Sequence, residues 1–211
     1  MPVTPTLELE QTLWADASLV IGIDEVGRGA LAGPVSVGAL ALRPDCGAWP
    51  EHLRDSKSMT ALRRASTAPL VRDWGVSAVG HASNDEIDRF GITVALGLAG
   101  RRALVGLHEA GIDVPAAAIL LDGTFDWLAP ALRSPLRTVL RAKADRDCAS
   151  VSGAALVAKV ERDGHMVDAD AAHPEYGWAS NKGYGSAAHM AAIAELGPTP
   201  LHRRTWLHGE R

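Results

Sequence analysis

Hydrophobic residues in this chain fall into short unbroken runs and longer helical stripes, and several of the runs stop abruptly at charge. The run from Leu19 to Asp24 is apolar and rich in β-branched residues, which predicts a buried strand. A second run, Pro34 to Leu42, follows a glycine-rich bend and pairs most simply with the first as an antiparallel hairpin. Gly75 to His81 alternates as a short strand, and Ala116 to Leu121 and Thr138 to Arg141 predict two more. Helices are predicted from Thr60 to Trp74, from Ser83 to Glu109 with interruptions at Gly91 and Gly97, from Cys148 to Ala171, and from Ser186 to Leu196. Ser83 and Glu86 have capping-box spacing, and Ile87, Phe90, Val94 and Leu98 form one apolar face, read as a core face. Residues 1–17 read as an irregular, proline-punctuated lead-in and 173–185 as loop; residues 18–211 read as one α/β domain ending in a helical segment and a tail.

Composition narrows the class. The 211 residues are enough for one well-buried core, and 47% hydrophobic content with few aromatics predicts helices and sheet packed through small side chains. A net charge of −4 argues against gripping nucleic acid by bulk charge but says nothing about a local basic groove. Cys46 and Cys148 lie far apart without ligand spacing, which indicates neither a zinc motif nor a disulfide framework and fits a reducing, cytoplasmic setting. The first ten residues lack the basic and apolar regions of a signal peptide, and the most apolar run, Leu31 to Leu42, is too short and too polar to span a membrane.

The strand ends carry the candidate chemistry. Asp24 and Glu25 end the first run, Asp122 ends another, and Asp145 closes the Lys143-Ala144-Asp145 segment after a third. Successive strand residues face opposite ways, so Asp24 and Glu25 serve one centre only if the strand twists or ends between them; Gly27 and Gly29 permit that. Unpaired buried carboxylates are expensive and ask for a cation. Oxygen ligands without histidine or cysteine suit Mg²⁺ or Mn²⁺, and a pair of such ions supports phosphodiester hydrolysis. On pattern alone, these acids read equally well as scattered charges that cap helices or meet arginines. The bend from Gly27 to Gly33 has one residue too many for a dinucleotide fingerprint and runs into a strand, and no GxxxxGK[ST] motif occurs. His165 and His173 lack ligand spacing, Ser186 and His189 form an i,i+3 helix pair, and all four read as polar surface; Lys159 and Asp163 read as an i,i+4 ion pair.

The combination is more specific than any one block. Asp24-Glu25-Val26-Gly27-Arg28-Gly29, Asp55-Ser56-Lys57, Leu121-Asp122-Gly123, Lys143-Ala144-Asp145, Ala158 to Asp163, Gly183-Tyr184-Gly185-Ser186 with His189, and His202-Arg203-Arg204 resemble the bacterial ribonuclease HII family, in order, from about residue 18 to 206. Three departures stand out: Ala155 where the family helix usually has serine, Ala30 where proline or cysteine is frequent, and a lengthened Asp122–Asp145 segment that leaves the conformation of 123–137 open. The sister type, ribonuclease HIII, is disfavoured because it typically carries Gly-Thr-Gly at the bend and an additional N-terminal domain for which residues 1–17 leave no room.

The resemblance implies a ribonuclease H-like mixed β-sheet flanked by helices. It implies an endonuclease that hydrolyses the phosphodiester 5′ to a ribonucleotide, in RNA–DNA hybrids and at single ribonucleotides embedded in duplex DNA, leaving a 3′-hydroxyl and a 5′-phosphate. Asp24, Glu25, Asp122 and Asp145 are expected to hold Mn²⁺ or Mg²⁺, Gly27-Arg28-Gly29 to read the ribose 2′-hydroxyl largely through main-chain groups, and Tyr184 to pack on the adjoining deoxyribose. A blander reading makes Tyr184 an anchor of its loop. Lys57, Lys143, Lys182 and Arg203 or Arg204 are expected along the phosphate track, with Lys143 alternatively offsetting repulsion among the acids. A monomer acting beside replication or repair proteins is the expected assembly. Its rivals are a catalytically silent nucleic-acid-binding module of the same fold and a phosphohydrolase of small nucleotides.

Overall fold

The computed structural model describes residues 3–207; residues 1–2 and 208–211, the outer ends of the lead-in and the tail, lie outside the described residues. The elements in chain order are α1 (Glu8–Leu13), β1 (Leu19–Val26), β2 (Val35–Leu42), α2 (Ala61–Trp74), β3 (Val76–Ala82), α3 (Asn84–Phe90), α4 (Ile92–Glu109), β4 (Ala117–Asp122), β5 (Arg137–Arg141), α5 (Ala144–Asp147), α6 (Ala149–Asp170), α7 (Trp178–Asn181) and α8 (Ala187–Leu196). The strands form one mixed sheet in the order β3-β2-β1-β4-β5. β1, β2 and β3 are successively antiparallel, whereas β4 and β5 run parallel to β1. The parallel half brings the carboxyl ends of β1 and β4 to the same edge of the sheet, where an open α/β sheet presents ligand sites.

Alternation along the strands separates two cores. Leu19, Ile21 and Ile23 join Val35, Val37 and Ala39 beneath α4, where Ala95, Leu96, Ala99 and Ala103 complete the layer. On the other face Val20 meets Val151 of α6, and Leu40 meets Ala154 and Leu156. There the approach is at backbone distance: a Cβ at Gly22 would strike the main chain of Ser150, and one at Gly38 the carbonyl of Ala154. Small residues on α6 and glycines on the strands are therefore one packing solution.

Several expectations change. The lead-in is not irregular throughout, since α1 forms within it and supplies a missing helix cap. Cys148, the N-cap of α6, makes no side-chain capping bond. Instead Oε1 of the buried Glu10 accepts from the Ser150 N–H (2.9 Å) and hydroxyl (2.7 Å), while the Thr6 carbonyl accepts from Ala149 N–H (2.9 Å). A cap delivered from 140 residues away leaves no local pattern to read. The long helix breaks at Gly91 but not at Gly97, because Gly97 and Gly100 are where Trp127 and its loop lie against α4. That loop is ordered by Trp127 and Leu128, both buried, and by Asp126, which accepts from the N–H groups of Leu128 and Ala129. The stripe through Ile87, Phe90, Val94 and Leu98 is only half a core face: Ile87 is buried and Leu98 packs against the core, but Phe90 and Val94 are 45% and 52% exposed, and the alanine-rich side of α4 is buried instead. Alanine is weakly hydrophobic by scale but permits the closest approach to the sheet.

Residues 173–185 hold a 3₁₀ turn and α7 rather than loop alone, because Tyr176 and Trp178 are buried and stack at 5.3 Å. His189 is likewise buried rather than surface-polar. Thr199 N–H donates to His202 Nδ1 (2.9 Å), so the His202 proton sits on Nε2 and donates to His189 Nε2, 3.1 Å away. Trp178 Nε1 donates to the same atom (3.0 Å), and His189 Nδ1 donates to the Tyr184 carbonyl (2.9 Å). This network needs both imidazoles neutral. Burial pushes both downwards, and His202, which also faces His189, falls to about 4.

Two expected outcomes follow from these buried polar groups. Glu10→Ala strips Ser150 of its acceptor and should cost about 1–3 kcal/mol in urea unfolding, with Glu10→Gln losing less. The unfolded chain takes up the His202 proton near pH 6.5 and the folded chain only near 4, so stability from this cluster is complete above 6.5 and declines as pH falls towards 4. His202→Asn should flatten that part of a Tm-against-pH curve; an unchanged slope would assign it to other groups.

Candidate active site

The site is built where β1 and β4 end. Their parallel register pairs Ile23 with Leu121, so Asp24 and Asp122 follow side by side on the face that meets α6. Glu25, next along the strand, stays close enough to the others for its charge to act on Asp24 and for that of Asp122 to act on it. β1 continues two residues past Asp24 to Val26, so no chain break separates the two acids. Asp145 arrives differently from expectation: it lies in the first turn of α5 rather than at a strand end. Lys143, in left-handed conformation (φ 62°), reverses the chain after β5, and Ala144 N–H then donates to Asp122 Oδ1 at 2.6 Å. The Asp145 carbonyl accepts from the Ser152 hydroxyl of α6.

Each acid gives one oxygen to a protein donor. Asp24 Oδ1 accepts from Glu25 N–H (2.8 Å), Glu25 Oε1 from Arg28 (3.3 Å), Asp122 Oδ1 from Ala144, and Asp145 Oδ2 from Lys57 Nζ (2.8 Å). The second oxygen of each has no side-chain or capping donor among the described residues. Burial raises the pKa of Asp24 well above the usual carboxylate range, with Glu25, Asp122 and Asp145 adding repulsion. Burial raises Glu25 despite Arg28, and raises Asp122 with help from Asp145. Lys57 is partly desolvated, but the hydrogen bond and charge of Asp145 more than compensate and push its pKa up.

These residues fit divalent metal ions by chemistry: an all-oxygen donor set, a surplus of mutually repelling negative charge, and a spare oxygen on each acid. Among the described residues, no three carboxylate, imidazole or thiol groups form a ready-made coordination set. Lys57, bonded to Asp145 from a side chain that is 75% exposed, neutralises part of the acids' charge.

The bend after β1 uses its two glycines for different reasons. Gly27 has φ +82°, and a Cβ there would collide with the Arg162 guanidinium. Gly29 has no such constraint: a Cβ would meet nothing, so the fold itself does not demand glycine. The Gly27 and Arg28 carbonyls accept from Arg203 Nη2 (2.7 Å) and Nη1 (2.9 Å). Among the described residues, the Arg28 and Gly29 N–H groups and the Gly29 carbonyl have no hydrogen-bond partner. The bend thus offers main-chain donors and one acceptor beside the acids.

The basic residues divide. Arg203 does not line a surface track: it is fully buried, and its guanidinium is spent on the carbonyls of Gly27, Arg28 and Gly33. Lys57 belongs to the acid cluster, held there by the Asp55 side chain that caps its turn. Lys182 folds back onto the Ala179 carbonyl, whereas Lys143 and Arg204 are exposed. Lys159 pairs with Asp163 at 2.8 Å as expected. Tyr184 is half-buried, with Arg162 5.3 Å and Lys159 5.7 Å from its ring centre and no hydrogen bond from its hydroxyl. Sequence reasoning missed the buried Arg162. Its signal was its place on the i+4 series Ala154, Ala158, Arg162, Met166, a core stripe on which a charge is out of place.

Known proteins are similar to this chain in sequence and in fold. A family model described as Ribonuclease HII matches residues 21–208. A protein of Streptomyces avermitilis named Ribonuclease HII is 44% identical over 211 residues, spanning 98% of this chain and 84% of that one. Among solved structures, the PCNA:RNase HII complex from Archaeoglobus fulgidus superposes with a TM-score of 0.70 at 22% identity, covering 91% of this chain and 98% of that one, a likeness of fold. Bst-RNase HIII in complex with Mn²⁺ superposes with a TM-score of 0.70 at 25% identity, covering 92% of this chain and 67% of that one. Given the match along nearly its whole length and the acids gathered at the ends of β1 and β4, the chain belongs to the ribonuclease HII family.

Proposed function

We propose that this protein is a divalent-metal-dependent endonuclease that cuts 5′ to ribonucleotides in RNA–DNA hybrids and at single ribonucleotides in duplex DNA, leaving a 3′-hydroxyl and a 5′-phosphate. The observation that carries the reading is the juxtaposition of the acid cluster with unpaired main-chain groups at Arg28 and Gly29. The 2′-hydroxyl both donates and accepts, and a bend with free N–H groups and a free carbonyl answers both roles. Asp24, Glu25, Asp122 and Asp145 would hold Mn²⁺ or Mg²⁺; when bound, such ions lower the pKa of water and stabilise charge on the leaving oxygen. Lys57, paired with Asp145, offsets part of the repulsion among the acids and would offer its ammonium to a nearby phosphate. Tyr184 would pack on the neighbouring deoxyribose, with Lys143 and Arg204 on the phosphate track.

The manganese complex of the type HIII enzyme supports metal dependence, and the archaeal complex with PCNA supports replication proteins as a partner class. Among the described residues no helix is long and apolar enough to cross a membrane. We take the protein to be a monomer working in the cytoplasm, a setting that its two unpaired cysteines suit. The silent-module alternative is disfavoured by the retention of every acid in the cluster.

A duplex carrying one ribonucleotide, incubated with Mn²⁺ or Mg²⁺ and resolved on a sequencing gel, should be incised only 5′ to that nucleotide, while an all-DNA control stays intact. Asp122→Asn should lower the rate by on the order of 10²-fold or more. The same variant should lose most of the Tm increase that Mn²⁺ gives the wild type, because only a folded site binds the ion. Gly29→Ala should leave Tm within about a degree or two, consistent with a small surface change. It should nevertheless slow cleavage at the ribonucleotide at least tenfold while sparing the Mn²⁺-induced shift. Parallel losses of cleavage and metal response would place Gly29 in the metal site instead.

A further inference from the structure

Behind the bend lie two fully buried guanidiniums, Arg162 from α6 and Arg203 from the tail, and neither forms an ion pair with a carboxylate among the described residues. Buried charge without a counter-ion is tolerated only when its hydrogen bonds are met, and here backbone carbonyls meet them. Arg203 addresses the bend alone, through Gly27, Arg28 and Gly33. Arg162 addresses two segments: Nε donates to Pro34 (2.9 Å), Nη2 to Ala32 (3.2 Å) and Nη1 to Lys182 (2.9 Å). Its guanidinium also lies against Gly27 and 5.3 Å from the Tyr184 ring centre.

We propose that Arg162 is a positioning residue for substrate discrimination, a planar bracket that holds the 27–34 bend and the 182–184 turn as one unit so that ribose reading and deoxyribose packing engage together. This rests on the functional reading of the bend and Tyr184 given above. The geometry is particular to arginine. Three donors in fixed directions reach carbonyls on two segments while the flat face supports an aromatic ring; an ammonium keeps the charge but not the fork. The Gly183 carbonyl strengthens the same joint by accepting from Leu31 (2.8 Å) and Ala32 (3.2 Å) N–H groups. Burial pushes the Arg203 pKa down to about 9, with Arg162 as a neighbouring cation, and lowers Arg162 from its ordinary value. Arg203 thus stays charged at neutral pH.

The test compares Arg162→Lys, Tyr184→Ala and the double variant with wild type by Tm, by hydrogen exchange of amides 30–33 and 183–185, and by single-turnover cleavage of two substrates. One substrate is a duplex with a single ribonucleotide and the other a long RNA–DNA hybrid. Arg162→Lys should fold, raise exchange in both segments at least tenfold, and cut the preference for the single ribonucleotide about tenfold; the double variant should lose no more preference than the more affected single. Arg203→Lys should loosen the bend while leaving 183–185 protected. Unchanged exchange in Arg162→Lys, loosening of only one segment, or additive losses in the double variant would overturn the bracket. If Arg162→Lys does not fold, Tyr184→Ala decides alone: exchange at 30–33 should still rise, and unchanged protection there would overturn the proposal. A Tyr184→Ala protein with wild-type preference but raised exchange would leave the bracket standing and remove Tyr184 from the substrate site.

Discussion

The contact on which most else depends is the one between α6 and the centre of the sheet. Glycines at 22 and 38 let the helix lie on β1 and β2 at backbone distance, and any larger residue would lift it. At 22 residues the helix is a rod of about 33 Å, long enough to serve distant parts of the molecule from a single anchorage. Its first turn receives the cap from α1, and Ser152 steadies Asp145. Farther along, Lys159 and Arg162 stand against Tyr184 and the bend. Asp145, the bend and the Tyr184 turn therefore take their spacing from one rigid element, which is how a site holds geometry that loops alone would lose.

Charge is distributed to match. The ends of β1 and β4 collect acids whose mutual repulsion is relieved only partly by Lys57 and by hydrogen bonds to N–H groups. On the other side of the bend, Arg162 and Arg203 are buried with carbonyls for partners. Each arrangement is costly by itself, because desolvated like charges destabilise a fold. The acids favour a cation among them, whereas the guanidiniums, fully buried and spent on carbonyls, are confined to holding the bend.

Legibility in the sequence followed the range of the cause. β1 to β5 were readable because each is a short apolar run bounded by glycine, proline or charge, and the α3 cap because Ser83 and Glu86 are three residues apart. Asp24, Glu25 and Asp122 were readable as acids that end such runs. Asp145 was visible as a residue but not in its setting, because nothing local announces that Lys143 turns left-handed and starts a helix. The face of α4 was misjudged because large apolar residues were weighed above alanine, while the packing rewards close approach. Glu10, His189 and Arg203 escaped for a common reason. Each is polar and reads as surface, and each is buried because a partner 13 to 176 residues away satisfies it. Pattern rules see neighbours, whereas polar burial is settled between strangers.

That lesson returns to the bend, where two glycines two residues apart look equivalent in the sequence. Gly27 is glycine because the protein's own guanidinium occupies the space of its side chain and its φ is positive. Gly29 is glycine with open space around it and no positive φ, so its cause lies outside the chain. Under the proposed function, a position left bare beside unpaired N–H groups serves a ligand's close approach. The first glycine sets the shape of the reader and the second gives it access, and the separation holds only while Arg162 and Arg203 keep the bend from relaxing onto the space it guards.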